Sequence, residues 1–194
     1  MKDSNLITYG KGILEGDHIF YIPTTTTTEI EELKNTEFKV LSVNGAIGLG
    51  EVSEDGVSTS PGHGDPEAVR NQAGAPVIHS RGEYEPSVSF NLMQTAGDID
   101  VDRVIYGKEN VIGTKENYTI NKNVNNQSRG VFVIDTQLDN GGLERTIYPN
   151  ASIQLSDDVV DNYTEVRLYP VTLTPSVDVK GNASYTIKSA KVEG

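Results

Sequence analysis

Short runs of strand-forming residues, separated by turn residues, recur from residue 38 to residue 185 and favour a mainly β fold. The clearest run alternates apolar Val88, Phe90 and Leu92 with polar neighbours, which is the pattern of a strand with one buried face. Strands at this spacing, together with one short helix, predict a β-sandwich or an open barrel. The predicted strands cover residues 38–43, 88–92, 118–120, 130–135, 143–155, 165–174 and 183–192.

Turn and capping residues mark the ends of several of these elements. Residues 98–106 are predicted to be the helix, because acids cluster at its start, where the helix dipole favours them, and Gly107 can end it. The Asn44-Gly45 pair predicts a turn after the first strand. The Asp-Asn-Gly-Gly run at 139–142 predicts a hairpin turn between two long strands.

Residues 55–76 contain seven Gly or Pro and little apolar periodicity, which predicts a long excursion loop between two strands. Within it, Asp65-Pro66-Glu67 predicts the start of a short helical turn that Gly74 would end. So little apolar material predicts a loop that is mobile in the isolated subunit and becomes ordered against an adjacent one.

The chain is predicted to divide into an N-terminal arm, residues 1–36, and one β domain, residues 37–194. Gly10, Gly12 and Gly16 interrupt any regular element, and a run of five threonines follows with nothing to pack beneath it. Both a flexible or edge-paired arm and a specifically docked arm fit this pattern.

Charge and composition narrow the possible partners. Sixteen basic and twenty-eight acidic side chains give a net charge of −12, so counterion release from a basic patch cannot drive tight nucleic-acid binding. The absence of cysteine excludes disulfides and thiolate metal sites. We expect neither a signal peptide nor membrane insertion, because no apolar run has the required length.

The candidate metal ligands lack the expected spacing. His18, His63 and His79 stand far apart and are predicted to be solvated loop side chains. Four acids occupy the first, third, fifth and twelfth places of a calcium loop, but Arg103 stands in the sixth place, where that loop requires glycine. Helix capping by the first two is therefore favoured over calcium binding. The four acids are Asp98, Asp100, Asp102 and Glu109.

Catalytic residues are equally hard to assign. The pairs Glu54-Asp55 and Asp157-Asp158 could serve as glycosidase carboxylates only if the fold brought partners together, so solvated turn acids are the favoured interpretation. No nucleophile elbow is present. We expect a protein that is not an enzyme, without cofactor and without catalytic, cofactor-binding or metal-binding residues.

The order of seven short segments, covering roughly residues 37–186, resembles the tail tube (major tail) protein of long-tailed bacteriophages, the siphophages. The segments are Gly50-Glu51-Val52-Ser53-Glu54-Asp55-Gly56-Val57, Asp65-Pro66-Glu67, Val88-Ser89-Phe90-Asn91-Leu92, Ile105-Tyr106-Gly107, Gly130-Val131-Phe132-Val133-Ile134-Asp135, Arg145-Thr146-Ile147-Tyr148-Pro149-Asn150-Ala151 and Tyr169-Pro170-Val171-Thr172-Leu173-Thr174-Pro175.

The resemblance implies a β-sandwich subunit with one short helix, six of which close a ring around a β-barrel channel. Rings would stack into a hollow tube that delivers the genome, and viral DNA would pass an acidic lumen without specific binding. It further implies tape measure, tail-tip and tail-terminator proteins as partners, and a virion location after assembly in the bacterial host cytoplasm. We expect the sheet that pairs around the ring to contain residues 38–50, 77–93, 130–135 and 143–155.

Two alternatives remain open from sequence. The chain could be another virion structural β-protein, such as a tail terminator, a baseplate protein or a decoration domain, which would not stack without limit. A carbohydrate-binding β-sandwich is the less favoured alternative, because such a site needs exposed aromatic side chains and the chain has no Trp.

Overall fold

A computed structural model describes residues 10–11, 17–24, 29–35, 37, 39–65, 68–79, 82–93, 97–124, 127–139 and 141–189. Within them the protein is mainly β, and every strand pair is antiparallel. The strands are β1 (Gly10–Lys11), β2 (Ile19–Pro23), β3 (Ile47–Gly48), β4 (Val52–Ser60), β5 (Ala68–Arg70), β6 (Pro76–His79), β7 (Ser87–Leu92), β8 (Val111–Thr114), β9 (Asn117–Ile120), β10 (Ser128–Leu138), β11 (Leu143–Leu155), β12 (Tyr169–Pro175) and β13 (Tyr185–Ser189). The helices are α1 (Ile30–Leu33) and α2 (Ile99–Tyr106), with 3-10 turns at Val40–Ser42 and Lys108–Asn110.

Nine strands form one large sheet, in the order β3-β2-β10-β11-β12-β7-β4, with β1 on β10 and β13 on β11. One edge of β11 pairs with β10, whereas the other edge is shared between β13, at residues 143–147, and β12, at residues 151–155. The strands at the two ends of the order, β3 and β4, do not pair with each other, so the described part of the sheet is open. Two small hairpins, β5–β6 and β8–β9, lie outside it.

The turn between β10 and β11 was predicted from its Asp-Asn-Gly-Gly run and is confirmed, although Asn140 lies outside the described residues. Leu138 N–H donates to the Gly142 carbonyl (2.8 Å), and Gly141 N–H donates to the Leu138 carbonyl (2.9 Å). Gly141 adopts φ +82°, a left-handed conformation that glycine takes without steric cost.

The large sheet has a hydrophobic core on each face. Alternate side chains of β2 point to opposite faces, so Ile19 and Tyr21 join one core while Phe20 and Ile22 join the other. The larger core is covered by α2 and the smaller one by α1 and the first 3-10 turn. The smaller core consists of Phe20, Ile22, Leu33, Val40, Val133 and Ile147.

The segment predicted as an N-terminal arm contains three elements that the sequence pattern did not indicate. The first, β1, pairs with β10 and includes Gly10, which was expected to interrupt any regular element. β2 is a continuous apolar run buried on both faces, and such a run lacks the alternation that reveals a half-buried strand. The expectation of a single helix was wrong, because α1 is a second one, only four residues long. The division at residue 36 stays a prediction.

The strand predicted at 38–43 was wrong. Residues Val40–Ser42 form a 3-10 turn, in which Ser42 N–H donates to the Lys39 carbonyl (2.9 Å). Phe38 lies outside the described residues. These local bonds replace sheet pairing and leave only Val40 of the turn buried.

Most of the other predicted elements are present in the structure. The strands at 88–92, 118–120, 130–135 and 143–155 and the helix at 98–106 are confirmed. The last two strands begin later than expected, at Tyr169 in β12 and at Tyr185 in β13, and residues 190–192 of the last predicted strand lie outside the described residues.

A buried ion pair ties the β10–β11 hairpin to α1. Arg145 donates from Nε and Nη2 to the two carboxylate oxygens of Asp135, both at 2.6 Å, and these residues are 3% and 4% exposed. Arg145 Nη1 also donates to the carbonyls of Leu33 (3.2 Å), the last residue of α1, and Asn35 (2.9 Å), two residues beyond it. A paired buried arginine of this kind is costly to disrupt.

Candidate assembly surface

The predicted excursion loop is a β-hairpin. The pairing of β4 with β7 continues outward, because Glu85 N–H donates to the Gly62 carbonyl (2.8 Å) and Gly64 N–H donates to the Glu83 carbonyl (2.9 Å). The strands β5 and β6 then pair at the far end. The described residues between 61 and 86 therefore belong to one hairpin that continues outward from β4 and β7, called here the projecting hairpin.

The helical turn expected within this segment was wrong where the structure describes it. Pro66 and Glu67 lie outside the described residues, and Ala68–Arg70, which follows them, is strand. Gly74 instead belongs to the turn that joins β5 and β6, with φ +79°.

Two glycines of the segment allow its strands to approach closely, rather than making a loop flexible. A Cβ atom on Gly62 would lie 2.1 Å from the Glu85 carbonyl carbon, and one on Gly82 would lie 2.1 Å from the Gly64 carbonyl oxygen. Neither distance is sterically possible, so both positions require glycine for the strands to pair.

Local hydrogen bonds stabilise the tip of the projecting hairpin, residues 68–79. Asn71 Oδ1 accepts from the backbone N–H groups of Ala73 and Ala75, both at 3.0 Å. Gly74 N–H donates to the Asn71 carbonyl (2.9 Å), and Arg70 Nη1 donates to the Gly74 carbonyl (2.9 Å). This polar turn needs no support from the rest of the molecule.

Apolar side chains of the tip are solvent-exposed on both faces of the hairpin. Val69 is paired with Ile78, so these two share one face, and Val77 lies on the other. Their side chains are 58%, 62% and 61% exposed, respectively. A two-stranded hairpin is marginal in water by itself, and exposed apolar surface marks a contact with another molecule.

The opposite end of the sheet carries the segment 156–168, which joins β11 to β12 and is called here the acidic loop. It contains four acids, and Val160, Tyr163 and Val166 are at least half exposed. A groove of about 290 Å³ is lined by Val160 and Val166 of this loop and reaches Asn91 and Pro170.

Both predicted acid pairs lie at this same end. Glu54-Asp55 falls in a bulge of β4, and Asp55 Oδ2 lies 3.5 Å from Asn91 Nδ2. Asn91 also lines the groove with Asp157 and Asp158. All four acids are solvent-exposed.

The acids of the predicted calcium-loop pattern perform separate structural roles. Asp98 caps α2, since its Oδ1 accepts from Asp100 N–H (3.0 Å) and Val101 N–H (3.4 Å), as predicted. Asp100 instead pairs with Arg103 at 3.2 Å. No three His, Cys, Asp or Glu side chains come close enough to hold a metal ion in the described part of the chain.

Asp102 is buried against the β8–β9 hairpin. Its Oδ2 accepts from the Tyr118 hydroxyl at 2.6 Å, and burial raises the pKa of the Asp102 carboxyl. The same bond raises the pKa of Tyr118 to about 12. The pair therefore joins α2 to β9.

The three histidines differ in their surroundings. His18 was predicted to be solvated, and that was wrong: it is 6% exposed, and its Nδ1 has no hydrogen-bond partner among the described residues. Burial lowers the pKa of His18, although nearby carboxylates oppose the shift. His63 stacks on Tyr84 at the base of the projecting hairpin, with ring centroids 4.9 Å apart, and His79 is exposed near its tip.

The fold and this surface define a mainly antiparallel β-protein with an uncovered hairpin at one end of its sheet. Comparison with protein-family models finds no match, and no curated protein sequence matches the chain. Across the described ranges, neither length nor hydropathy qualifies any helix to cross a lipid bilayer.

Proposed function

We propose that this protein is a structural β-sandwich subunit of a long-tailed phage tail tube, in which hexameric rings stack into a hollow conduit for the genome. One observation carries the proposal: the described strands of the projecting hairpin are paired along their backbones, yet they expose apolar side chains on both faces. The described part of the chain leaves that surface uncovered, so we expect another subunit to cover it.

The edges of the large sheet support lateral assembly. Of the residues expected to pair around the ring, those in β3, β7, β10 and β11 belong to this sheet, whereas residues 77–79 belong to the separate β5–β6 hairpin. Of these four strands only β3 lies at an edge, since β7, β10 and β11 are interior. The terminal strands β3 and β4 leave an edge without a partner strand in the described part of the chain. Such edges promote pairing between chains, and closure of a ring removes them.

The negative charge suits a conduit. Acids facing the lumen would repel phosphates, and salt would screen that field within about 8 Å at physiological ionic strength. DNA would then slide without binding. The role needs no catalysis and no cofactor, and its partners are further copies of the chain with tape measure, tail-tip and tail-terminator proteins, within the virion.

Negative-stain electron microscopy of the purified full-length chain tests the proposal. We expect rings and tubes of uniform diameter as concentration rises or when tail-tip complex is added as initiator. Compact monomers under all of these conditions would refute it.

A variant set tests the part played by the hairpin. Changing Val69, Val77 and Ile78 to Thr keeps β propensity but removes apolar surface, so tubes should be lost while the subunit stays folded. The matched control changes three exposed apolar residues elsewhere and should assemble normally: Ile112, Val124 and Val179 to Thr.

A DNA-binding assay tests the lumen separately. Retention of duplex DNA by assembled tubes at physiological salt would reject the DNA-repelling lumen but not the tube subunit.

A further inference from the structure

We propose that the tip of the projecting hairpin, residues 68–79, docks on the acidic loop of the next copy, in a head-to-tail contact. This inference rests on the proposed function and identifies the surface that receives the hairpin. Three observations carry it: the positions of the two segments, their exposed apolar side chains and their opposite charges.

The two segments lie at opposite ends of the same strands. The projecting hairpin leaves the sheet where Ser60 pairs with Ser87, at the start of β7. The acidic loop ends where Tyr169 pairs with Leu92, at the end of β7. Six residues of strand span about 17 Å, and the projecting hairpin points away from the acidic loop, so one chain cannot bring its own two surfaces together.

The apolar surfaces suit each other. The tip presents three bare aliphatic side chains, and the acidic loop presents Val160, Tyr163 and Val166, of which Tyr163 is fully exposed. The groove at the loop is also lined by Leu168 and Pro170. Docking would cover both uncovered ends in a single contact.

The charges favour this contact over contacts between like ends. Residues 68–79 contain one cation, Arg70, and no acid. The acidic loop contains four acids and one cation, Arg167, which pairs with Asp161 at 3.0 Å. Opposite potentials steer the two surfaces together, whereas two acidic loops repel each other.

Such a contact is heterologous, because it joins two different surfaces of the same chain. Heterologous contacts continue without limit unless rotation closes them, so this one provides growth along a tube axis. Edge pairing between β3 and β4 would close the ring, and the hairpin contact would stack one ring on the next.

Charge reversal tests the contact in the full-length chain. Arg70→Glu alone, or Asp157→Lys with Asp158→Lys, should lower the fraction of protein in pelletable tubes by about tenfold or more, because each replaces an attraction by a repulsion. Combining all three changes restores opposite charges and should recover tubes. Glu109→Lys with Glu116→Lys is the control and should assemble like the parent.

Crosslinking gives a second test, because the chain has no cysteine of its own. Subunits carrying Val69→Cys and subunits carrying Val160→Cys are co-assembled and treated with a short bismaleimide. We expect a linked dimer from this mixture, and none when Val124→Cys replaces Val160→Cys.

The outcomes separate the two proposals. Tubes that form normally in the Asp157→Lys/Asp158→Lys variant and give no linked dimer would overturn this contact and leave the tube subunit intact. Failure of the parent chain to assemble, even with tail-tip complex, would overturn both.

Discussion

The β10–β11 hairpin and the projecting hairpin share a design but not an environment. Each joins two antiparallel strands through a short turn with a left-handed glycine, Gly141 or Gly74. In β10–β11, Phe132 and Ile147 are fully buried, whereas Ile78 at the projecting tip is 62% exposed. Hairpin geometry is therefore local, and what covers its faces decides whether it holds the subunit together or remains available to a neighbour.

Polar contacts differ in the same way. The buried Arg145–Asp135 pair joins β10–β11 to the end of α1. Arg70 of the projecting hairpin bonds only within its own turn at Gly74 in the described contacts. The first arrangement couples distant segments of the chain, and the second leaves the tip independent of the core.

The largest expected effect comes from breaking the buried pair. Arg145→Ala leaves the Asp135 carboxylate buried without its partner and should lower the free energy of unfolding by about 3–5 kcal/mol. Urea denaturation of the dispersed subunit measures it. Arg103→Ala breaks a partly exposed pair and should cost about 1 kcal/mol or less. Equal losses of unfolding free energy in the two variants would show that the buried Arg145–Asp135 pair does not stabilise the β10–β11 hairpin.

The same substitution in each hairpin sharpens the comparison. Ile147→Ala removes a fully buried side chain and should cost about 2–5 kcal/mol of subunit stability. Ile78→Ala should change it by no more than about 0.5 kcal/mol, since that side chain is exposed. A large loss for Ile78→Ala in the dispersed subunit would mean that its own chain covers the tip.

The smallest effect concerns pH and His18. Its pKa in the folded subunit lies below the ordinary value of 6.5, so the unfolded chain binds more protons just below that pH. Stability should therefore fall as the pH drops below 6.5 towards the lowered pKa. His18→Asn should weaken this pH dependence. His79→Asn is the control and should leave it unchanged, because the His79 side chain is exposed. Identical pH profiles of the two variants would contradict the assignment of the pH dependence to His18.

Local signals allowed part of the fold to be predicted from sequence. Alternation identified β7, the turn at 139–142 identified the β10–β11 hairpin, and Asp98 identified the start of α2, because each signal resides in adjacent residues. β2 was missed, since burial on both faces removes alternation.

The candidate surface was harder to predict. Its glycines indicated a loop, although Gly62 is required by an approach of the Glu85 backbone that only the paired structure contains. The Ala68-Val69-Arg70 run before the turn was an available strand signal. The exposure of the Val69 side chain depends on the whole fold, so no local sequence pattern predicts it.

Hydrogen exchange on dispersed and assembled protein tests the central claim most directly. The amides of β10 and β11 should be protected in both states, because the chain itself covers them. Amides at residues 68–79 should exchange faster in the dispersed subunit and become protected in the tube. Equal exchange at 68–79 in the two states would contradict the claim that another subunit covers the projecting hairpin.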